Sequence, residues 1–144
     1  MEIKRRTGAA LTFLVSSLVF AAGCVVFDPG PQFGALTGNW AGWCCDGLLD
    51  AGGQWYVTLE EGSSGAVTGT VEYIEAGGPS MQPLIVSGTV DGRHSGARVS
   101  LGFRYDEGRR GSFTGEQSSE TAFRGSMSGW MSFGPDAVLF ERTP

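Results

Sequence analysis

The 144-residue sequence predicts an all-β fold: an eight-stranded antiparallel up-and-down β-barrel, preceded by an N-terminal signal peptide. Three observations lead there. Past residue 35, apolar and polar residues alternate with a period of two in eight short segments rich in Val, Thr, Phe, Trp and Tyr, the pattern of half-buried strands. Turn-forming clusters of Gly, Asp and Ser separate the segments at short intervals, so consecutive strands are antiparallel neighbours. The first 23 residues run basic, then apolar, then small.

The leader comes first. Lys4, Arg5 and Arg6 form its basic part, and Ala9 to Ala22 carry no charge over 14 residues. That is short of the roughly 20 residues of a bilayer span and matches the core of a secretory signal. The ending Ala21-Ala22-Gly23-Cys24 resembles the lipobox of bacterial lipoproteins, with Ala21 where leucine is usual. The resemblance implies that residues 1–23 are removed. Cys24 then carries a thioether-linked diacylglycerol and usually an amide-linked chain of the palmitate kind. Two or more chains anchor a protein stably to a membrane without spanning it. By the same resemblance Val25, which is not Asp, implies the outer membrane of a cell that has one, with the domain facing outside the cytoplasm. Without the resemblance, the same order is that of any signal peptide with a cysteine near its cleavage site.

Residues 24–35 contain Pro29, Pro31, Gly30 and Gly34 and read as a tether. Residues 36–144 are the barrel domain. The leader holds three of the ten basic residues and one of the fifteen acids, leaving seven arginines and no lysine against fourteen Asp plus Glu, a formal charge of −7. That balance argues against nucleic acid and against docking on anionic lipid, which both favour basic surfaces. Of the 24 glycines, 22 lie beyond Gly23 without a collagen period or proline bias, as tight turns and bent strands require.

The eight segments are LTGNWAGW, GQWYVTLE, GAVTGTVEYIE, PLIVSGTVD, ARVSLGFRY, GSFTGEQ, ETAFRGSMSG and DAVLFER. In the second, Trp55, Val57 and Leu59 share a face. In the third, Val67, Val71 and Tyr73 oppose Thr68, Thr70 and Glu72. In the fourth, Leu84, Val86 and Val90 oppose Ser87, Thr89 and Asp91. In the fifth, Val99, Leu101, Phe103 and Tyr105 oppose Arg98, Ser100 and Arg104. Turns are expected at 46–47, 61–65, 76–80, 91–96, 106–111, 117–120 and 133–136. Closing eight such strands removes both sheet edges and gives an interior that side chains just fill.

Gly38-Asn39-Trp40 in the first segment and Arg142 near the end of the last are similar to the structural signature of the calycins, the superfamily of lipocalins and avidins. There a Gly-x-Trp tryptophan closes the barrel floor and an arginine packs on it, so the resemblance implies a Trp40–Arg142 barrel-closure pair stabilised by cation–π attraction. The short strands and GAVTGTVEY resemble avidins more than lipocalins. The avidin biotin-binding polar set and tryptophan lid do not map onto this chain, and a fold alone licenses no function.

Little catalytic chemistry is legible. His94, the single histidine, falls in the expected 91–96 turn and reads as a solvated residue. No Ser-His-Asp set can be assembled, the absence of lysine beyond the leader excludes a Schiff base, and no cofactor is expected. Gly69, Gly88, Gly115, Gly125 and Gly129 fall on inward positions, where they either let coiled strands bend or leave a cavity between Trp55, Tyr73, Phe103 and Phe123 for a small apolar ligand. Arg93, Arg98, Arg104, Arg109, Arg110 and Arg124 read either as a local basic face or as a solvated face interleaved with acids.

Cys44 and Cys45 remain as a pair once Cys24 is acylated. In a regular strand neighbours point to opposite faces, and adjacent Cα atoms about 3.8 Å apart fall below the usual disulfide span of roughly 4.4–6.8 Å. A vicinal disulfide therefore requires a strained turn; free thiols or an intermolecular pair are the alternatives. A metal site with Asp46 and Asp50 is not expected, since zinc favours spaced Cys and His ligands. The sequence thus points to a membrane-anchored, non-enzymatic envelope protein that binds a small apolar ligand or a secreted protein. The alternatives are an inhibitor of secreted hydrolases, since some bacterial metalloprotease inhibitors are similar small barrels using an N-terminal segment, and a structural lipoprotein with no ligand.

Overall fold

A computed structural model describes residues 33–45, 53–75 and 82–144. Eight strands follow in chain order: β1 Gly38–Cys44, β2 Gln54–Glu61, β3 Ala66–Glu75, β4 Leu84–Ser95, β5 Arg98–Tyr105, β6 Arg110–Ser119, β7 Ala122–Gly129 and β8 Phe133–Arg142. Each pairs antiparallel with the next, and β8 returns to β1 to close the barrel. The closing seam sets Trp40 opposite Val57 on one side and Arg142 on the other. With every strand paired on both sides, no row of backbone donors and acceptors is left at an edge. Among the described residues no helix is long and apolar enough to cross a membrane.

The period-two pattern is what builds the wall. Trp55, Val57 and Leu59 on β2, Val67, Val71 and Tyr73 on β3, and Val99, Leu101, Phe103 and Tyr105 on β5 are all buried inward. The intervening Thr68, Thr70 and Glu72, or Ser100 and Arg104, face water. Leu84 departs from its expected face and is 41% exposed, at the start of β4.

Three expected turns are largely strand instead, among them 117–120, where β6 runs on to Ser119 and the chain reverses at Glu120 and Thr121. The 91–96 segment continues β4 to Ser95, because Asp91, Gly92 and Arg93 pair with Gly102, Leu101 and Ser100 of β5; the chain reverses only at Gly96 and Ala97. Phe133–Asp136 belongs to β8, where Asp136 takes a left-handed φ of 56° beside a register break between Gly125 and Met127. In all three places cross-strand pairing overrode turn-forming composition. The expected turns at 46–47 and 76–80 lie outside the described residues.

The glycines allow the tight coiling. A Cβ on Gly69 would collide with the Thr58 carbonyl, on Gly88 with that of Arg104, on Gly115 with that of Arg124, and on Gly125 with that of Thr114. Gly115 and Gly125 face each other across β6 and β7. At these points the wall of one strand presses on the next, so the space a side chain would need is already occupied by backbone.

Candidate functional site

The barrel has two ends, and each is shut by a tryptophan under an arginine. At the floor, Trp40 projects inward from β1 and is 1% exposed. The guanidinium carbon of Arg142 lies 4.4 Å from its ring centroid. The same guanidinium donates to three carbonyls: Thr37 at 2.6 Å, Ala35 at 2.9 Å and Glu120 at 3.2 Å. The Trp40 indole N–H donates to the Leu36 carbonyl at 2.7 Å. The Leu36 N–H donates to Glu61 Oε2 at 2.7 Å, its side chain wholly buried. Gln117 Nε2 reaches the Gly34 carbonyl at 3.2 Å. Residues 34–37 are therefore a strap tied across the floor, and the tether expected over 24–35 is already held at Gly34 and Ala35. Cys24 lies outside the described residues.

His94 is not the solvated turn residue expected from sequence. It points inward from β4, is 7% exposed, and sets Nδ1 2.9 Å from Glu61 Oε2 and 3.1 Å from Oε1. The reason is the extra length of β4, which carries His94 to a core position opposite Val99. Glu61 thus holds the histidine and the strap with one carboxylate. Among the described residues His94 hydrogen-bonds no serine, threonine or cysteine, and its Nε2 and the Gln117 Oε1 have no partner.

At the opposite end Trp130, between β7 and β8, packs edge-on against Tyr105 at 5.1 Å and Tyr73 at 5.6 Å. The Arg109 guanidinium covers it at 4.5 Å. Trp55 lies beneath, 5.0 Å from Tyr73, and its indole N–H donates to the Tyr105 hydroxyl at 3.1 Å. Burial pushes the Tyr105 phenol up to about 12, opposed by that hydrogen bond, and burial also raises Tyr73. The Trp130–Arg109 contact was missed in the sequence, where Arg109 read only as one of the outward arginines, although Trp130 sits in a Gly-Trp turn much as Trp40 follows Gly38.

The four residues expected to line a common cavity belong to different layers. Trp55 and Tyr73 pack under Trp130, and Phe103 stacks on Tyr105 at 6.1 Å. Phe123 belongs to the floor, 4.8 Å from both Trp40 and Phe140 and 5.4 Å from Phe113. These are ordinary aromatic packing separations, and the glycines between the layers open no space.

Cys44 and Cys45 end β1 and start the next loop. Cys45 takes a left-handed φ of 64°, which undoes the strand alternation and brings the two Sγ atoms to 2.8 Å with both thiols free. Burial and the Cys45 contact push the Cys44 thiol up to about 11. Asp46 and Asp50 lie outside the described residues. Among the described residues, no group of three or more His, Cys, Asp and Glu side chains is placed to hold a metal ion.

The outward arginines alternate with acids. Glu116 stands between Arg98 and Arg124 in register, Arg104 approaches Asp91 at 3.3 Å, and Arg109 approaches Glu107 at 3.3 Å. Such exposed pairs contribute little stability but cancel the local field. Compared with protein-family models, with curated proteins and with solved structures, the chain shows no match. What is established is a closed eight-stranded antiparallel barrel, a small fold consistent with non-catalytic ligand or protein binding.

Proposed function

We propose that the mature chain is a lipid-anchored, extracytoplasmic, non-enzymatic module that engages its partner on the outside of a filled barrel. The observation that carries the reading is the pair of packed ring layers, one around buried Trp40 at the floor and one under half-buried Trp130 at the far end, with an arginine over each tryptophan. A ligand inside would have to displace that packing, whereas the outer wall is open.

The strap supports an orientation. Ten Cα–Cα steps lead from Cys24 to Gly34, and an extended chain spans at most about 3.5 Å per step. The floor, where the chain enters the domain, then lies within about 35 Å of the bilayer surface. Residues 24–144 carry a formal charge of −7, which supports attachment through acyl chains rather than through attraction to anionic lipid.

The full-length protein, expressed in a bacterial host and extracted in detergent, tests this directly. Metabolic labelling with an alkyne fatty acid should mark the protein, and Cys24→Ala should remove the label and release the protein from membranes. Native mass spectrometry should show the acylated chain without a retained small apolar molecule. An unmodified Cys24 would overturn the anchoring, and a stoichiometric apolar ligand that displaces the core would overturn the filled barrel.

A further inference from the structure

The outer wall is chemically two-sided. Arg93, Arg98, Arg104, Arg110 and Arg124 all lie on β4 to β7. On that side Ser112 and Ser128 are joined at 2.8 Å and Ser126 is bonded to the Thr114 carbonyl. Across β1 to β4 the outward side chains form two parallel rows instead. One runs through Asn39, Thr58 and Thr70, each facing the next in register; the other runs through Tyr56, Glu72 and Ser87.

These six residues line an open groove of about 560 Å³, inside the roughly 300–1,000 Å³ range of small-ligand sites. Tyr56 is 42% exposed, and its hydroxyl donates to Gln54 Oε1 at 2.8 Å, which holds the ring in place. Thr58 Oγ1 donates to Asn39 Oδ1 at 2.9 Å. Thr70, Glu72 and Ser87 have no side-chain hydrogen bond to any described residue. The groove therefore offers the Tyr56 ring beside the unspent hydroxyls of Thr70 and Ser87, the Glu72 carboxylate and the amide N–H donors of Asn39.

We infer that this groove binds an uncharged oligosaccharide. A sugar ring has an apolar C–H face, which packs on an aromatic ring, and a rim of hydroxyls that both donate and accept. Tyr56 supplies the first contact, and the hydroxyls of Thr70 and Ser87 and the amide of Asn39 supply the second. Glu72 is an acceptor for two sugar hydroxyls, and bonds to a carboxylate are about twice as strong as neutral ones. Strands about 4.8 Å apart set these groups at a regular spacing along the groove, which suits a linear chain of rings. Among the described residues Glu72 is the one charged side chain lining the groove, on a domain whose residues 36–144 carry a formal charge of −6, so anionic glycans are repelled. The inference names the ligand class for binding on the outer wall and rests on the proposed function only in placing that binding outside the barrel.

Ligand-observed saturation-transfer NMR on the full-length protein in detergent tests it with cellotetraose, maltotetraose, triacetylchitotriose and, as the anionic arm, tetragalacturonate. At least one neutral tetramer or trimer should receive saturation, and tetragalacturonate should not. Tyr56→Ala should weaken the neutral sugar by about ten-fold, the scale of losing one buried aromatic face. Thr70→Arg, which fills the groove, should abolish binding, and Ser112→Ala on the opposite wall should leave it unchanged. Because Tyr56 and Thr70 are outward residues, an unchanged melting temperature verifies that both variants fold. No neutral sugar bound at millimolar concentration, binding indifferent to Tyr56→Ala and Thr70→Arg, or preferential binding of an oligolysine peptide would each overturn the inference. None of those results touches the acylation and native-mass readouts of the filled, anchored barrel, so the two readings fail separately.

Discussion

The guanidinium of Arg142 lies 4.4 Å above the indole of Trp40, and the two residues face each other across the β1–β8 seam. One side chain thereby joins the first strand, the last strand and the strap. Arg142→Ala removes the stacking and three carbonyl hydrogen bonds, and should cost about 2 kcal/mol after allowance for partial exposure. Urea unfolding should show it as a lower midpoint at unchanged slope. Arg142→Lys should recover less than half, because an ammonium lacks the planar fork that reaches several carbonyls at once.

Gly125 faces Gly115 so closely that a Cβ would strike the Thr114 carbonyl and the Gly115 backbone. Gly125→Ala should destabilise by about 3 kcal/mol, the upper range of overpacking. Gly134→Ala, where nothing lies within 4 Å, should be close to neutral. Comparing the two melting temperatures separates backbone approach from any general penalty of replacing glycine.

Burial raises the Tyr105 phenol from its ordinary 10.0 to about 12. The native state then keeps its proton more tightly than the unfolded chain. Stability from this source is intact below pH 10 and is lost as pH rises from about 10 towards 12. Tyr73 shifts the same way, so denaturation midpoints measured from pH 8 to 12 should fall in that window. Tyr105→Phe should flatten the fall and lower stability at neutral pH by about 1–3 kcal/mol, the cost of leaving the buried Trp55 N–H without its acceptor.

The 2.8 Å approach of the Cys44 and Cys45 sulfurs, with Cys45 already in the left-handed conformation, suits a vicinal disulfide. In an oxidising compartment a thiol–disulfide oxidoreductase would take up both electrons and both protons. Protein isolated without reductant should resist iodoacetamide at both positions and weigh less than the dithiol by the mass of two hydrogens. Two alkylated thiols would rule the bridge out. After reduction, Cys45 should react first, since burial pushes Cys44 up to about 11 and leaves little thiolate to attack.

The strands and their closure were legible because alternation, short gaps and an interior-sized set of apolar residues all demand the same arrangement. The Trp40–Arg142 contact was visible through a resemblance, and the geometry now accounts for it. His94 was misplaced because Asp91-Gly92 has turn composition, whereas pairing with β5 decides the matter, and pairing is not local. The strap was hidden for a related reason: Gly34-Ala35-Leu36 carries no periodic signal, and its hydrogen bonds come from residues up to 107 positions away. The division of Trp55, Tyr73, Phe103 and Phe123 between layers depends on strand stagger around the barrel, which alternation within a strand does not contain. Tyr56 was readable as an outward residue, but its neighbours in the groove come from β1, β3 and β4 and become neighbours only through register.

The β1–β8 seam also orders events in time. A ribosome or translocation pore delivers β1 first and β8 last, so β1 waits with one side unpaired until Arg142 is free of the machinery. Loop closure over nearly the whole domain is then the final and entropically heaviest step. A chain still lacking its last strand cannot complete its barrel. The native state begins only when the last strand has arrived.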